Sequence, residues 1–291
     1  MSRIFEALQK SSAGKAGGFT DFATALQEPF SAVVETGTAE TAATALPVAD
    51  FDDFPTVNVS LRPGSRLFCL TQRESLGAEK FRFLGVRLRQ LQQNRALKRI
   101  LVTSTIPEEG KSTISGNLAC TLARKRQQKV LLIDGDLRRP SLNRLLGLDR
   151  MTGLSEYLKG DASLREPLYR VEEAGFWFLP AGTPPENPLD LMNSARYNAL
   201  LERLSGWFDW IVIDTPPVLP LADTSVWAKA ADGILLVTRE GTTRKRHLQR
   251  GIAALDAAKL LGVVINSTHS TEHDNYYQHY GPAAKQASDR K

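Results

Sequence analysis

Ser104-Thr105-Ile106-Pro107-Glu108-Glu109-Gly110-Lys111-Ser112-Thr113 is the stretch on which the fold turns. Before it runs Arg99-Ile100-Leu101-Val102-Thr103, an aliphatic segment of buried-strand type, and after it a helical pattern follows over roughly 111–125. A Gly-Lys-Ser step between a strand and a helix is the setting of a phosphate-binding loop. In such a loop, backbone N–H groups and the start of the helix face phosphate oxygens. Gly110 lets the backbone approach closely, Lys111 sets a cation on the β- and γ-phosphates, and Ser112 offers a hydroxyl to Mg²⁺. Thr105, Pro107, Glu109 and Thr113 complete the candidate nucleotide-binding loop. Thr105 stands where the motif has its first glycine, so the match is incomplete.

Outward from this loop, three carboxylates fall at strand ends. Asp214 follows Trp210-Ile211-Val212-Ile213, and Asp134 and Asp136 follow Val130-Leu131-Leu132-Ile133. Acids at the C-terminal ends of parallel strands lie in the ligand crevice. There Asp214 has the position of an acid that contacts Mg²⁺ or its water shell. Asn266, just past the strand ending at Ile265, is the candidate for an adenine contact.

The rest of the chain repeats the alternation. Phe81, Leu84, Leu88 and Leu91 at helical spacing predict an amphipathic helix over roughly 74–94. Pro140 is expected to open the next helix, and Asn187-Pro188 another over roughly 188–205. Trp177-Phe178-Leu179, Ile234-Leu235-Leu236-Val237 and Val263-Val264-Ile265 read as strands, with a helix near 243–258 between the last two. Near-continuous aliphatic strands alternating with helices predict an α/β fold of the P-loop NTPase type, a mostly parallel sheet with helices on both faces.

Residues 11–65 are rich in Gly, Ala, Ser, Thr and Pro and lack periodicity, so they bury too little apolar surface to offset their ordering entropy. The expected organisation is a largely disordered tail over 1–65, a nucleotide-binding domain over 66–270, and a flexible tail over 271–291. Ile4, Phe5 and Leu8 suit either a short docking helix or a frayed terminus.

Charge divides along the same lines. The net charge is +5; residues 1–65 hold eight acids and four bases, so the balance of +9 lies in residues 66–291. A basic domain suits phosphates, nucleic acid or an anionic membrane surface. Arg244, Lys245, Arg246 and Arg250 form a basic patch, but no nucleic-acid reading motif accompanies it, and no specific nucleic acid is expected. Two cysteines, Cys69 and Cys120, fit a reducing cytosol, and the four histidines show no zinc spacing. Nowhere do 18 apolar residues run together, so a cytoplasmic protein is expected.

Taken together, the segments over roughly 74–282 resemble the bacterial tyrosine kinases of exopolysaccharide synthesis. The resemblance rests on the phosphate loop, on Leu132-Ile133-Asp134-Gly135-Asp136-Leu137-Arg138-Arg139-Pro140, and on Ile211-Val212-Ile213-Asp214-Thr215-Pro216-Pro217. Gly153-Leu154-Ser155-Glu156-Tyr157-Leu158 and Leu179-Pro180-Ala181-Gly182 are also like the family. It implies ATP and Mg²⁺ as cofactors, Asp134 as acceptor of the tyrosine proton, Asp136 and Asp214 at the metal, and Lys111 on the phosphates. It also implies self-phosphorylation in a C-terminal tyrosine cluster. Tyr276, Tyr277 and Tyr280 match that cluster, three of the chain's six tyrosines within five residues.

The family's ring-forming helix carries Glu-x-x-Arg-x-x-Arg; here Glu79 and Arg82 are followed by Gly85, with Arg87 nearby. The implied partners are a second copy of the chain, protein tyrosine substrates, and a transmembrane polysaccharide co-polymerase acting as adaptor at the inner membrane face. The alternative weighed against this is a partition or septum-placement switch ATPase of the same fold. Its signature lysine would fall at Ile106, and it leaves the tyrosine cluster without a role.

Overall fold

A computed structural model describes residues 51–61, 63–124 and 128–267. The candidate phosphorylation sites Tyr276, Tyr277 and Tyr280 and the amphipathic start of the chain lie outside these described residues. In chain order the elements are β1 (Thr56–Val57), α1 (Phe68–Thr71), α2 (Leu76–Asn94), β2 (Arg99–Ser104), α3 (Lys111–Ala123), β3 (Val130–Asp134), α4 (Leu142–Leu146), α5 (Leu154–Lys159), β4 (Tyr169–Val171), β5 (Phe176–Leu179), α6 (Pro188–Met192), α7 (Ala195–Trp207), β6 (Trp210–Asp214), α8 (Asp223–Ala230), β7 (Gly233–Arg239), α9 (Lys245–Ala253) and β8 (Leu260–Asn266).

The strands form one sheet in the order β1-β4-β5-β3-β6-β2-β7-β8. Every pairing is parallel except β4 with β5. Side chains alternate between two cores, as the period of two demands. Leu101, Leu131, Ile133, Ile211 and Ile213 enter the core that takes in α5, α7 and α8. Ile100, Val102, Val130, Leu132 and Val212 enter the opposite core under α2 and α3. Burial on both faces explains why these strands read as continuous aliphatic runs. The expected α/β architecture is therefore the observed one. Its crevice lies at the β2, β3 and β6 ends, because Asp134 pairs with Asp214, and Val102 with Asp214, in register.

Several boundaries differ from expectation, each for a local reason. Part of the expected tail belongs to the sheet: Thr56 pairs with Arg170, Phe54 is buried, and the Phe51 ring lies 5.0 Å from that of Trp177. Phe51 and Phe54 supply apolar area to one core, and Val57, Val59 and Leu61 to the other. The helix expected from Pro140 starts at Leu142, because the Ser141 and Leu142 amides donate to the Asp134 carboxylate. The helix expected over 188–205 is broken at Asn193–Ser194, where the Ser194 hydroxyl accepts the Tyr197 amide and caps a new helix. The helix near 243–258 closes at Ala253, and a turn at Asp256 leads into β8.

Gly85 of α2 is buried against α3: a Cβ there would stand 2.9 Å from Thr121 Cγ2. Helix packing thus forbids an arginine at the third position of the Glu79–Arg82 pattern, while Arg87 is exposed. Glu79 and Arg82 form an ion pair within α2. Among the described residues, no helix is long and apolar enough to cross a membrane.

Candidate active site

The phosphate loop is shaped by its own acid. The Glu109 carboxylate is buried and accepts the Thr105 amide at 2.7 Å, the Ile106 amide at 3.0 Å and the Thr105 hydroxyl at 2.8 Å. The Thr243 hydroxyl, in the turn between β7 and α9, donates to the same carboxylate. Thr105 fills the place of the motif's first glycine because both of its donors are engaged by Glu109. The Glu109 side chain, expected among the nucleotide contacts, is instead committed to the loop, which leaves its backbone for a ligand. Pro107 lies exposed on the loop and Thr113 on the first turn of α3.

Gly110 has a left-handed φ of 92°, and a Cβ there would collide with Asn266 Nδ2. Asn266 donates through Nδ2 to the Glu109 carbonyl at 2.9 Å, so this residue too braces the loop. It also lines a cavity of about 610 Å³ with Gly110, Thr113, Ile114 and Arg239. A second cavity, about 340 Å³, opens on the other side of the loop beside Ser112, Thr113, Ser141 and Arg144. The amides in the first turn of α3 have no partner within the helix and are free to serve an anion.

Three carboxylates converge on Lys111. Its ammonium lies 3.2 Å from Asp136 Oδ2 and 3.7 Å from Asp214 Oδ2. Burial works against that charge, but Asp214, Asp136 and Asp134 outweigh it and raise the lysine pKa above its ordinary value. Asp134 is fully buried beside them, and its carboxylate accepts the amides of Asp136, Ser141 and Leu142. Burial, followed by the neighbouring charge of Asp214, drives the Asp134 pKa well above the ordinary aspartate range despite those bonds. Burial raises Asp214 as well, and Lys111, Ser112 and Ser115 only partly offset it. Ser115 donates to Asp214 Oδ1 at 3.2 Å, and the Ser112 and Ser141 hydroxyls are 2.7 Å apart.

Asp214 Oδ2 is buried and has no hydrogen-bond partner among the described residues. An orphaned carboxylate oxygen with a serine hydroxyl nearby suits a hard divalent cation. No three acids, histidines or cysteines form a complete metal cage among the described residues. Mg²⁺ needs none: it takes one or two carboxylates and fills its remaining positions with water and phosphate oxygens.

Sequence reasoning missed the residues that support these acids. Asp223, at the start of α8, is buried and pairs with Arg138 at 2.6 and 3.1 Å. Trp227 Nε1 donates to the Gly135 carbonyl at 3.2 Å. Asp223 sits 85 positions from Arg138, a separation at which no local pattern gives a signal.

Comparison with known proteins adds the chemistry that geometry alone leaves general. The family model ParA, described as NUBPL iron-transfer P-loop NTPase, matches residues 96–287. Tyrosine-protein kinase YwqD of Bacillus subtilis is 33% identical over 219 residues, which cover 73% of this chain and 92% of that one. The chimerical protein CapA2B2 superposes with a TM-score of 0.67 at 30% identity, covering 75% of this chain and 96% of the other. The kinase domain of Escherichia coli tyrosine kinase ETK gives a TM-score of 0.63 at 29% identity, covering 70% and 82%. Kinase relatives at this identity decide against the switch-ATPase alternative. The chain belongs to the bacterial protein-tyrosine kinases, built on the ParA-type P-loop NTPase fold.

Proposed function

We propose that this kinase uses Mg·ATP to phosphorylate its own C-terminal tail, Tyr276, Tyr277 and Tyr280 of a neighbouring protomer, and thereby regulates exopolysaccharide polymerisation and export. What carries the reading is the single cluster of Lys111 with Asp134, Asp136 and Asp214 at adjoining strand ends. In this reading the phosphate loop and Lys111 hold the β- and γ-phosphates. Ser112, Asp136 and Asp214 would hold Mg²⁺, which would supply charge neutralisation for the transferring phosphoryl group. Asn266, Thr105, Pro107, Glu109, Gly110 and Thr113 shape the nucleotide site around them.

The tyrosine oxygen attacks the γ-phosphorus, the bond to the β–γ bridging oxygen breaks, and Asp134 takes the phenolic proton. Such a transfer needs in-line positioning and charge neutralisation more than covalent chemistry. A carboxylate whose pKa has been raised toward the operating pH suits the proton acceptor.

The proposed setting is the cytoplasm, at the inner membrane face, where a transmembrane polysaccharide co-polymerase acts as adaptor. Copies of the chain assemble through the Glu79/Arg82 helix, with Arg87 serving where Gly85 cannot. The test is to incubate the full chain with Mg·ATP, with and without a candidate adaptor's cytoplasmic segment, and to map phosphotyrosine by mass spectrometry. Changing Tyr276, Tyr277 and Tyr280 together to Phe is expected to remove most of the label. Label persisting elsewhere would sink the tail assignment.

A further inference from the structure

We infer that α8 is a clamp that sets the spacing of the two acid-bearing loops, with Asp223 as its positioning residue for phosphoryl transfer. The inference rests on the roles proposed above for Asp134, Asp136 and Asp214.

Three residues of α8 reach both loops from neighbouring positions of one helix. Asp223 takes the Arg138 guanidinium in a two-pronged bond, which fixes the loop that follows Asp134 and Asp136. Trp227 donates to the Gly135 carbonyl in the same loop. Thr224 donates at 2.8 Å to the Pro216 carbonyl, in the loop that follows Asp214. The two loops also meet directly, since the Gly135 amide donates to the Asp214 carbonyl at 2.7 Å. Gly135 has no room for a side chain: a Cβ would stand 2.9 Å from the Asp214 carbonyl oxygen and from Trp227 Cε2. The two acid strands and α8 therefore close on one another at a residue that only glycine fits.

Stability alone gives little reason for this pair. Asp223 is 1% exposed, whereas the Arg138 side chain is 37% exposed. A buried carboxylate with a half-exposed partner gains little over an apolar residue of similar size. The helix is already seated by Trp227, which is fully buried against the Tyr197 ring at 5.2 Å. What the ion pair adds is a fixed geometry for the loop between the acids and the surface. Displacement of reacting groups by about 1 Å costs on the order of 100-fold in rate.

The experiment compares wild type, Arg138→Ala, Asp223→Leu with Arg138→Ala, Trp227→Phe and Asp134→Asn in the full chain. Each is assayed for Tm, kcat and KM for ATP, reading phosphotyrosine. Arg138→Ala alone leaves a buried carboxylate unpaired and is expected to lower both Tm and kcat. The double variant removes that carboxylate; its Tm is expected to recover while kcat stays at least tenfold down and KM moves less than twofold. Recovery of kcat along with Tm would make the pair merely structural and overturn the inference. So would a KM that rises in step with the fall in kcat. If the double variant does not regain its Tm, Trp227→Phe decides: it keeps an aromatic side chain but loses the N–H with the pyrrole ring, and kcat is expected to fall at least threefold, on the order of one neutral hydrogen bond. An unchanged kcat there overturns the clamp. Asp134→Asn separates the two readings. If it retains full activity, the proposed roles of the acids fail; if it is inactive while the double variant is fully active, only the clamp fails.

Discussion

The phosphate loop and the acid loop face each other across Lys111, yet they are held in opposite ways. Glu109 ties the phosphate loop mainly from within, to Thr105 and Ile106 four and three residues away, with Thr243 and Asn266 adding distant ties. The acid loop is tied from outside, by α8 some 85 to 92 residues further on. The acid loop has local ties too, since Asp134 accepts the amides of Asp136, Ser141 and Leu142, so the difference lies in which kind of brace dominates. The contrast predicts that changes to the local brace act mainly on nucleotide affinity and changes at α8 mainly on transfer rate.

The largest expected effect breaks the link between the two regions. Lys111→Met removes the one cation shared by Asp136 and Asp214, and phosphotyrosine is expected to fall at least ~100-fold, as for other transition-state charge contacts. An unchanged circular dichroism spectrum would show that the fold is intact; phosphotyrosine at wild-type level would remove Lys111 from catalysis. Next comes Asp134→Asn, expected to cost about 10²–10⁴-fold in transfer, the usual worth of a general base.

The same change should also flatten the pH dependence of the ligand-free protein's stability. With its pKa raised, folded Asp134 holds a proton that the unfolded chain releases, so its contribution to stability declines as pH rises from the ordinary aspartate value through the raised one. Asparagine does not titrate and should remove that decline, although its NH₂ group faces a backbone amide that the carboxylate accepted. A variant whose Tm falls with pH as steeply as that of wild type would contradict this. Activity has the opposite slope: phosphotyrosine formation should fail as pH drops, with a midpoint above the ordinary carboxylate range. A midpoint near that of a free aspartate would argue against Asp134 as proton acceptor.

Smaller effects sharpen the contrast. Glu109→Gln keeps the shape but weakens the local brace, so KM for ATP should rise about tenfold, the worth of roughly 1–2 kcal/mol of charged hydrogen bonding, with kcat little changed. An effect on kcat alone would show that the two loops are not separable. Thr243→Val removes the single tie from the β7–α9 turn and should cost about threefold or less in KM.

The strands and the phosphate loop were legible in the sequence because both are local patterns: aliphatic runs such as Val130–Ile133, and a glycine before Lys111 at a strand end. The acids were legible for the same reason, as the last residues of those runs. What stayed hidden depends on partners distant in the chain. Asp223 reads as an ordinary acid near a helix start until Arg138 is seen beside it. Glu109 reads as a ligand contact from its place in the loop and Asn266 from its place at a strand end; only the fold reveals that both side chains brace the loop. Likewise Gly85 looks like a lost arginine until Thr121 is found against it. The short strand at Thr56–Val57 was hidden by the small-residue composition of the stretch before it, although Phe51 and Phe54 pack on one core and Val57, Val59 and Leu61 on the other.

Lys111 also has a meaning for the protein at rest. With its ammonium among the carboxylates, the crevice carries its own counter-ion. Mutual repulsion among the acids is thereby muted in the ligand-free protein. In the proposed mechanism, loading Mg·ATP would be an exchange of counter-ions, with the lysine passing to the phosphates and a metal taking its place among the acids.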